Sequence, residues 1–325
     1  MALDPAQIDR ARGAVLGSAA GDALGAAYEF ESAAIGPDGP QMLGGGLGDF
    51  APGEWTDDTT MAWCILDVAA EHEDLSSDQA LTEIARRFRR WYETGPADIG
   101  NQTRTILGGV GPEPHAARLT AASRDLHERT GHTGGNGSLM RTAPVALRYL
   151  DDPQGLADAS RRISALTHYD RQAQDACVLW SEAIRHAIVA GELDLRVGLV
   201  LLEPADAAAW TEIIDDAERR DPGHFNPNGW VVTALQAAWS AIAHTPIPAE
   251  DPSRHLANSL ETAIRIGNDT DTVAAIAGGL LGARWGASAV PAQWRAMLHG
   301  YPGLTGEDLV ALTDRAIGPA LGSPA

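Results

Sequence analysis

The stretch GAVLGSAAGDALGAA, residues 13–27, constrains the fold more than any other part of the chain. Its glycines recur four residues apart, at positions 13, 17, 21 and 25, so on a helix they lie along one slowly drifting face. A glycine inside a helix costs about 1 kcal/mol relative to alanine. Four of them predict a close helix crossing in the core. Asp22 lies in the same segment. A carboxylate there is either solvated or bound to a partner, so Asp22 is a candidate for a residue that orients other site residues without contacting the ligand itself.

The rest of the chain also has helical character. Apolar residues recur at three- and four-residue spacing, between clusters of Gly, Pro and Asp, and no convincing strand pattern is present. Helices are predicted near residues 7–28, 58–73, 77–95, 139–150, 154–166, 170–190, 206–219, 229–244, 253–266, 271–285 and 306–316. We therefore predict an all-α fold in which residues 1–325 form a single compact domain of orthogonal helices. The glycine-rich stretches 36–53 and 131–137 are expected to be functional loops.

Composition and charge exclude several classes of function. With 325 residues, 44% of them hydrophobic, the chain can bury a large core. A net charge of -20 makes nucleic acid and anionic membranes poor partners. Cys64 and Cys177 lie in apolar helical patterns, as expected for buried thiols in a reducing compartment. Since no targeting or membrane-spanning segment is evident, the protein is predicted to be cytoplasmic.

An acidic pair begins one of the predicted helices. In GEWTDDTTMAWC, residues 53–64, Asp57 and Asp58 are adjacent. Inside a regular helix their side chains would diverge by about 100°, but at a helix N-terminus both can converge on one site. The alternative is structural, since Thr56 or Asp57 can cap the helix while the other acid interacts with the helix dipole.

A second segment favours a metal site. IRIGNDTDTVAAIAGGLLGARWG, residues 264–286, places Asp269 and Asp271 among threonines at another helix start. If the two starts face each other, four carboxylates converge with the hydroxyls of Thr56 and Thr272, and their repulsion requires cations. An all-oxygen ligand set favours Mg²⁺, with Mn²⁺ as the alternative, and two ions about 3.5 to 4 Å apart can share it.

Six segments together resemble the ADP-ribosylglycohydrolase family, whose founding members reactivate ADP-ribosylated dinitrogenase reductase. They are GSAAGDALGAAYEF, GEWTDDTTMAWC, DIGNQTR, GNGSLMRTAPVAL, LTHYDRQAQDAC and GNDTDTVAAIAGGLLGARWG. They follow the family's order from about residue 10 to 286, and this ordered set is far more specific than any one piece. The resemblance implies an all-helical fold, a binuclear magnesium centre and hydrolysis of the glycosidic bond joining ADP-ribose to an acceptor.

The resemblance also assigns residues. It implies six metal ligands, which are Thr56, Asp57, Asp58, Asp269, Asp271 and Thr272. It makes Glu29 the family's mobile acidic residue, with Glu31 as an alternative two positions away. One departure is Gly267-Asn268, where many members carry two glycines, and asparagine tolerates the left-handed backbone that glycine permits.

Further residues are assigned to substrate binding. The loop GGNGSLMR matches the family's diphosphate cradle, so Gly135, Asn136, Gly137 and Ser138 are expected to offer backbone NH groups to phosphate. The alternative for this loop is a flexible connector. His168 resembles a family position that contacts ADP-ribose, although a lone histidine before a helix is usually structural. Asn101 and Thr103 also match the family pattern, without an assigned role.

The expected activity is magnesium-dependent release of ADP-ribose from a protein or a small conjugate. Glu29 is expected to act as acid or base near the leaving group, and Asp58 to share the catalytic work. Acidic charge favours an arginine-linked acceptor, since a guanidinium would be attracted to it. The alternatives are a silent ADP-ribose-binding module, or a hydrolase of a serine, O-acetyl-ADP-ribose or nucleic-acid-base linkage. In residues 287–325, Trp294 and Tyr301 are expected to pack rather than bind ligands.

Overall fold

The computed structural model describes residues 2–318, in which nearly all regular structure is helical. Met1 and residues 319–325, which the predicted domain includes, lie outside the described residues. The α-helices of the described range are α1 (Pro5–Gly25), α2 (Asp57–Ala69), α3 (Asp78–Glu93), α4 (Asn101–Gly108), α5 (Ala116–Thr130), α6 (Pro153–Ala165), α7 (Arg171–Ala190), α8 (Pro204–Arg219), α9 (Val231–His244), α10 (His255–Arg265), α11 (Thr270–Trp285), α12 (Ala292–Met297) and α13 (Gly306–Ala316). The all-α prediction is confirmed.

Shorter elements connect these helices. One-turn and two-turn 3-10 helices occur at Ala26–Glu31, Gly46–Gly48, Asn136–Ser138, Ala143–Arg148, Arg196–Leu201, Pro222–His224, Pro252–Arg254 and Ala287–Ala289. Strands β1 (His299–Gly300) and β2 (Leu304–Thr305) form an antiparallel hairpin. Each strand has two residues, which is too short to show the alternating pattern that predicts a strand.

The centre of the molecule is an antiparallel pair of helices, α1 and α11, whose backbones touch. Gly13 faces Gly282 and Gly17 faces Gly278, so the two chains run in opposite directions. A Cβ atom on Gly17 would lie 2.3 Å from the carbonyl oxygen of Gly278. A Cβ atom cannot approach a carbonyl oxygen so closely, so only glycine fits here. The predicted close helix crossing at this glycine face is therefore confirmed.

The remaining helices surround this pair. Helices α7, α9 and α10 pack against α11, and α13 packs against both α1 and α2. Trp180 on α7 is fully buried and donates its indole NH to the carbonyl oxygen of Ile276, 3.0 Å away. Since this bond satisfies the indole NH, the large aromatic ring can fill the core without an unpaired donor.

Two groups of sequence predictions need correction. The predicted helix over 139–150 is instead a turn followed by the 3-10 helix Ala143–Arg148. Pro144 lacks an NH group and interrupts a regular helix, while the continuous burial of this segment explains its apolar run. Helices α4, α5 and α12 were not predicted. α5 buries only Ala116, Leu119 and Ser123, which leaves too weak an apolar stripe.

Other predictions about packing are confirmed. Cys64 and Cys177 are buried free thiols. Trp294 and Tyr301 are partly buried against the core, and the Tyr301 ring meets Trp63 edge-on at 5.7 Å between centroids. Within the described range, no helix is long and apolar enough to cross a membrane.

Candidate active site

The end of α1 holds the starts of α2 and α11 together. Gly25, the last residue of α1, allows the backbone of Asp271 to approach, because a Cβ atom on Gly25 would lie 2.5 Å from the Asp271 Cα. The Thr270 hydroxyl donates to the Gly25 carbonyl oxygen at 2.9 Å. One turn earlier, the Asp22 carboxylate accepts a hydrogen bond from the Thr56 NH at 3.0 Å. The glycine-faced helix thus brings the two predicted acidic segments to one place.

The six predicted metal ligands lie in one region. Asp22, Asp58 and Asp271 each direct a carboxylate oxygen into a group whose atoms are within 4.8 Å of one another. The Thr272 hydroxyl lies 3.5 Å from Asp58 Oδ2, and the Thr56 hydroxyl lies 3.1 Å from the same oxygen. Asp57 and Asp269 line the adjoining cleft. The N-termini of α2 and α11 therefore face each other.

The carboxyl groups of this region are buried close together. Burial, and then the neighbouring carboxylates, raise the pKa of Asp57, Asp58 and Asp271 well above the usual carboxyl range. For Glu29 the same two causes, burial first and Asp98 next, raise the pKa to about 9. Ionising these groups together is unfavourable unless a cation is bound.

An unsatisfied oxygen tests whether a hard cation fits. Asp58 Oδ1 is buried and has no hydrogen-bond partner among the described residues. A buried carboxylate oxygen without a donor costs free energy, which a bound cation would recover. The surrounding ligands are carboxylate and hydroxyl oxygens, the donor set that Mg²⁺ and Mn²⁺ prefer. The residues present therefore fit a divalent cation.

Asparagine side chains orient Asp269 at the start of α11. The Asn136 amide donates to Asp269 Oδ2 at 2.7 Å, and the Asp269 NH donates to Asn228 Oδ1 at 3.0 Å. Asn228 also donates to the Gly267 carbonyl oxygen at 3.1 Å. Asn228 was not among the predicted residues, because the sequence NPNG, residues 226–229, is typical of an ordinary turn.

The Gly267-Asn268 turn is left-handed, as expected. Gly267 has φ 82° and Asn268 has φ 66°, so asparagine takes a conformation that glycine also permits. The Asn268 carbonyl oxygen accepts the Phe30 NH at 2.8 Å. This bond ties the segment carrying Glu29 to the start of α11.

Glu29 and Glu31 lie in different environments. Glu29 is 6% exposed and lines the cleft, whereas Glu31 is exposed and is not part of its wall. Between them Phe30 adopts φ 46°, which turns the backbone and separates the two carboxylates. The structure therefore favours Glu29 over Glu31 as the acidic residue of the site.

Asp98 is a site residue that sequence reasoning missed. Its carboxylate belongs to a second acidic group with Glu29 and Asp271, again with oxygens within 4.8 Å of one another. Asp98 directly precedes the IGNQTR part of DIGNQTR, of which only Asn101 and Thr103 were selected. Both of these residues also line the cleft. An acid at the start of a recognised segment was the available signal.

The cleft has a volume of about 440 Å³. It is lined by residues of the acidic group and of the predicted phosphate loop. Gly135, Asn136, Gly137 and His168 are among the residues that line it. The Asn136 NH is already bound to the Gly229 carbonyl oxygen, so Asn136 contributes through its side chain.

Ser138 lies behind the same loop. Its hydroxyl is buried, accepts from Ser164 at 2.9 Å and contacts Cys177 Sγ at 3.5 Å. Its side chain therefore anchors the loop to the core, and Ser138 is not among the residues that line the cleft.

Comparison with known proteins gives one consistent result. The family model described as ADP-ribosylglycohydrolase matches residues 3–323. The ADP-ribosylarginine hydrolase Tri1 of Pseudomonas putida (strain GB-1) is 31% identical over 307 residues, covering 90% of this chain and 75% of that protein. The ADP-ribosyl-[dinitrogen reductase] glycohydrolase of Rhodospirillum rubrum is 29% identical over 303 residues, covering 90% and 92%. A solved structure titled ADP-ribosylglycohydrolase-related protein complex superposes with a TM-score of 0.71 at 28% identity, covering 97% of this chain and 99% of that one.

Proposed function

The chain belongs to the ADP-ribosylglycohydrolase family, and on that premise we propose that it releases ADP-ribose from arginine-linked mono-ADP-ribosylated proteins in a magnesium-dependent reaction. The observation that carries the proposal is the buried, oxygen-only ligand group at the facing starts of α2 and α11, in which Asp58 Oδ1 lacks a partner. This group opens into the cleft that ends at the glycine-rich loop. A metal site and an anion-binding loop in one cleft suit a phosphate-bearing sugar substrate.

We assign the two cations to Thr56, Asp57, Asp58, Asp269, Asp271 and Thr272. When bound, the cations supply positive charge that holds ribose hydroxyls, stabilises the charge that develops on the sugar and activates a water. The protein's own part is orientation, because Asn136 holds Asp269 and the Thr272 NH donates to Asp271 Oδ1 at 2.8 Å. Fixed ligands keep the sugar in a reactive position.

Glu29 is the proposed acid. Burial, and then the nearby carboxylates with Asp98 first, raise its pKa to about 9, which favours the protonated form of this carboxyl. A protonated carboxyl at the wall of the cleft can donate that proton to the leaving group. Asp58 is the proposed second carboxylate, acting from within the ligand group.

An arginine-linked acceptor is favoured by the two carboxyl groups at one end of the cleft. Glu29 and Asp98 lie together at the acidic end of the cleft, and Asp98 also has a pKa raised by burial and by Asp269. A guanidinium leaving group offers several N–H donors to this pair of carboxyl groups, whereas a serine hydroxyl offers one. The relative from Pseudomonas putida is named for the arginine linkage, which agrees with this assignment.

The experiment is an ADP-ribose release assay on arginine-linked and serine-linked mono-ADP-ribosylated peptides, with Mg²⁺ or with EDTA. We expect release from the arginine peptide only with Mg²⁺, and loss of release in Asp57→Ala and Asp269→Ala. Glu29→Gln should lower kcat by at least about 100-fold, the usual contribution of a positioned acid. It should still bind ADP-ribose.

Glu31→Gln is the matched control, since it changes the same chemistry two residues away on an exposed side chain. Its activity should equal that of the wild type. Full activity of Glu29→Gln would remove Glu29 from the chemistry. Tight ADP-ribose binding without release from either peptide would move the protein to the silent binding class or to another linkage.

A further inference from the structure

A buried arginine behind the phosphate loop has no ion-pair partner. Arg141 is fully buried, and within residues 2–318 none of its guanidinium nitrogens pairs with a carboxylate. Its nitrogens contact Met61 Sδ at 3.5 Å and the Ile163 carbonyl oxygen at 3.4 Å, and its guanidinium stacks on Phe88 at 4.6 Å from the ring centroid. Its one short hydrogen bond is to the Thr167 hydroxyl oxygen, at 2.7 Å from Nη2. Burying a cation is costly, so the arrangement requires a function for it.

The Thr167 hydroxyl connects this arginine to His168. Its oxygen lies 2.8 Å from His168 Nδ1, and Thr167 is fully buried. Arg141 can only donate, so the Thr167 oxygen uses one lone pair to accept from it. No other acceptor for the Thr167 proton lies within hydrogen-bond distance in the described range. The Thr167 hydroxyl therefore donates its proton to His168 Nδ1. If Nδ1 carried the proton and donated instead, the buried Thr167 hydroxyl proton would have no acceptor.

An accepting Nδ1 places the ring proton of a neutral imidazole on Nε2. This nitrogen lies beside two glycines that line the cleft, because a Cβ atom on Gly137 would be 3.2 Å from it and one on Gly135 would be 3.5 Å from it. His168 forms part of the cleft wall. Burial, and then the charge of Arg141, lower the His168 pKa well below 6.5, so the ring stays neutral at physiological pH.

We propose that Arg141 and Thr167 are positioning residues that hold His168 in its Nε2–H form, with that NH directed into the cleft as a donor to a diphosphate oxygen of ADP-ribose. The chain of donors runs from the Arg141 guanidinium to the Thr167 hydroxyl, from that hydroxyl to Nδ1, and from Nε2–H to the ligand. The identity of the ligand rests on the proposed function. The proton positions rest on the free protein alone.

The first test is the tautomer of His168 in the full-length, ligand-free protein. Long-range ¹H–¹⁵N correlation spectra distinguish Nε2–H from Nδ1–H, and His168→Ala identifies the signal among the 10 histidines. We expect a neutral Nε2–H ring that does not titrate near pH 6.5. An Nδ1–H ring, or a charged one, overturns the proposal even if the hydrolase assay succeeds.

The second test is a double-mutant cycle read out as ADP-ribose affinity by calorimetry in excess Mg²⁺. Thr167→Val keeps the shape but removes the hydroxyl, and should weaken ADP-ribose binding about tenfold, the value of one lost hydrogen bond. Thr167→Ser restores the hydroxyl and should bind like the wild type. In a His168→Ala background, Thr167→Val should cause no further loss.

Equal losses with and without His168 would mean that Thr167 acts on the fold and not through the ring, and would overturn the proposal. Unchanged affinity in Thr167→Val would do the same. If Thr167→Val does not fold, the wild-type spectrum still decides the proton positions. Failure of the release assay together with an Nε2–H spectrum would contradict the proposed function but not the donor chain.

Discussion

At the scale of single residues, Asp22 decides where one hydroxyl proton goes. The Thr56 hydroxyl lies 2.9 Å from Asp22 Oδ1 and 3.1 Å from Asp58 Oδ2, and it has one proton to donate. Asp22 also accepts from the NH and the hydroxyl of Thr59, at 2.9 Å and 2.6 Å. If Asp22 takes the Thr56 proton, the Thr56 lone pairs and Asp58 remain free for a cation. Outer groups of this kind fix the geometry of metal ligands.

Asp22→Asn is therefore expected to lower Mn²⁺ affinity by about 10-fold to 100-fold, the usual effect of losing such a partner. The Asp22 carboxylate accepts from four donors, which are the NH and hydroxyl groups of Thr56 and Thr59. The asparagine NH₂ group cannot accept, so the Thr56 hydroxyl would donate to Asp58 instead. The measurement is a calorimetric Mn²⁺ titration of the full-length protein after chelation. Asp67→Asn is the matched control, since Asp67 lies on α2, the helix that carries Asp57 and Asp58, but pairs with Arg87 outside the site. An unchanged dissociation constant for Asp22→Asn would contradict this account.

Some site residues could be predicted from local sequence, and others could not. Asp57 and Asp271 stand at helix starts among threonines, so local pattern alone suggested them. Asp98 had a local signal at the start of DIGNQTR, whereas Asn228 follows a proline in NPNG and only the folded chain brings its side chain to the Asp269 NH. Thr167 could not be predicted, because it accepts its hydrogen bond from Arg141, which lies 26 positions away in the sequence. A residue whose role depends on distant contacts leaves no local signal.

At the scale of secondary structure, the α1–α11 crossing supports the site, and it can be tested within one pair of neighbouring glycines. A Cβ atom on Gly278 would lie 2.1 Å from the Gly17 carbonyl oxygen, whereas one on Gly279 would have its nearest contact at 3.2 Å, with the Ala143 side chain. Both residues are inside α11, so both substitutions by alanine gain the same helix propensity of about 1 kcal/mol.

Gly278→Ala is expected to reduce the free energy of unfolding by about 3 kcal/mol, the upper end of the usual cost of overpacking, because the two backbones must separate. Gly279→Ala is expected to change it by less than about 1 kcal/mol, since small side-chain shifts can absorb the methyl group. Urea unfolding monitored by circular dichroism measures both. Equal effects of the two substitutions would mean that α1 and α11 do not touch through their backbones at this position.

The crossing also shows how far sequence predicts elements. The four-residue spacing of glycines in α1 predicted a close approach. Gly278 and Gly282 of α11 repeat that spacing, but the spacing alone did not identify α11 as the partner. The helices with strong apolar stripes were predicted to within a few residues of their ends. The segment 139–150 was misassigned because burial on all sides removes the periodicity that separates a helix from other buried backbone.

At the scale of the whole molecule, the fold concentrates buried acid in a chain whose net charge is already -20. Asp22, Asp57, Asp58 and Asp271 are each at most 8% exposed, so water screens their repulsion poorly. The glycine crossing and the outer helices must hold these groups together against that repulsion. A bound cation would change the balance of the entire fold, and not only of the cleft.

Stability should therefore depend on pH and on cations together. Burial and mutual repulsion raise the pKa of Asp57, Asp58 and Asp271 in the folded state above that of an unfolded Asp, about 3.9, and raise Glu29 to about 9. Between the unfolded and folded pKa values the folded state holds more protons, so the free energy of unfolding falls as pH rises through this window. In EDTA, the melting temperature should decrease from about pH 5 to about pH 8.

A divalent cation should oppose that loss, because it binds the ionised, folded site and not the unfolded chain. The gain is about 2.7 kcal/mol at a free cation concentration 100 times the dissociation constant, and it should grow with pH as protons leave the ligands. Thermal melts with EDTA and with Mg²⁺ across this pH range measure the difference, which cancels the effect of surface charge. Asp58→Asn removes one buried charge, so in EDTA at the high end of the range it should melt above the wild type and gain less from Mg²⁺. Parallel pH profiles with and without Mg²⁺ would mean that the buried carboxylates do not bind it, and would remove the metal from the proposed function.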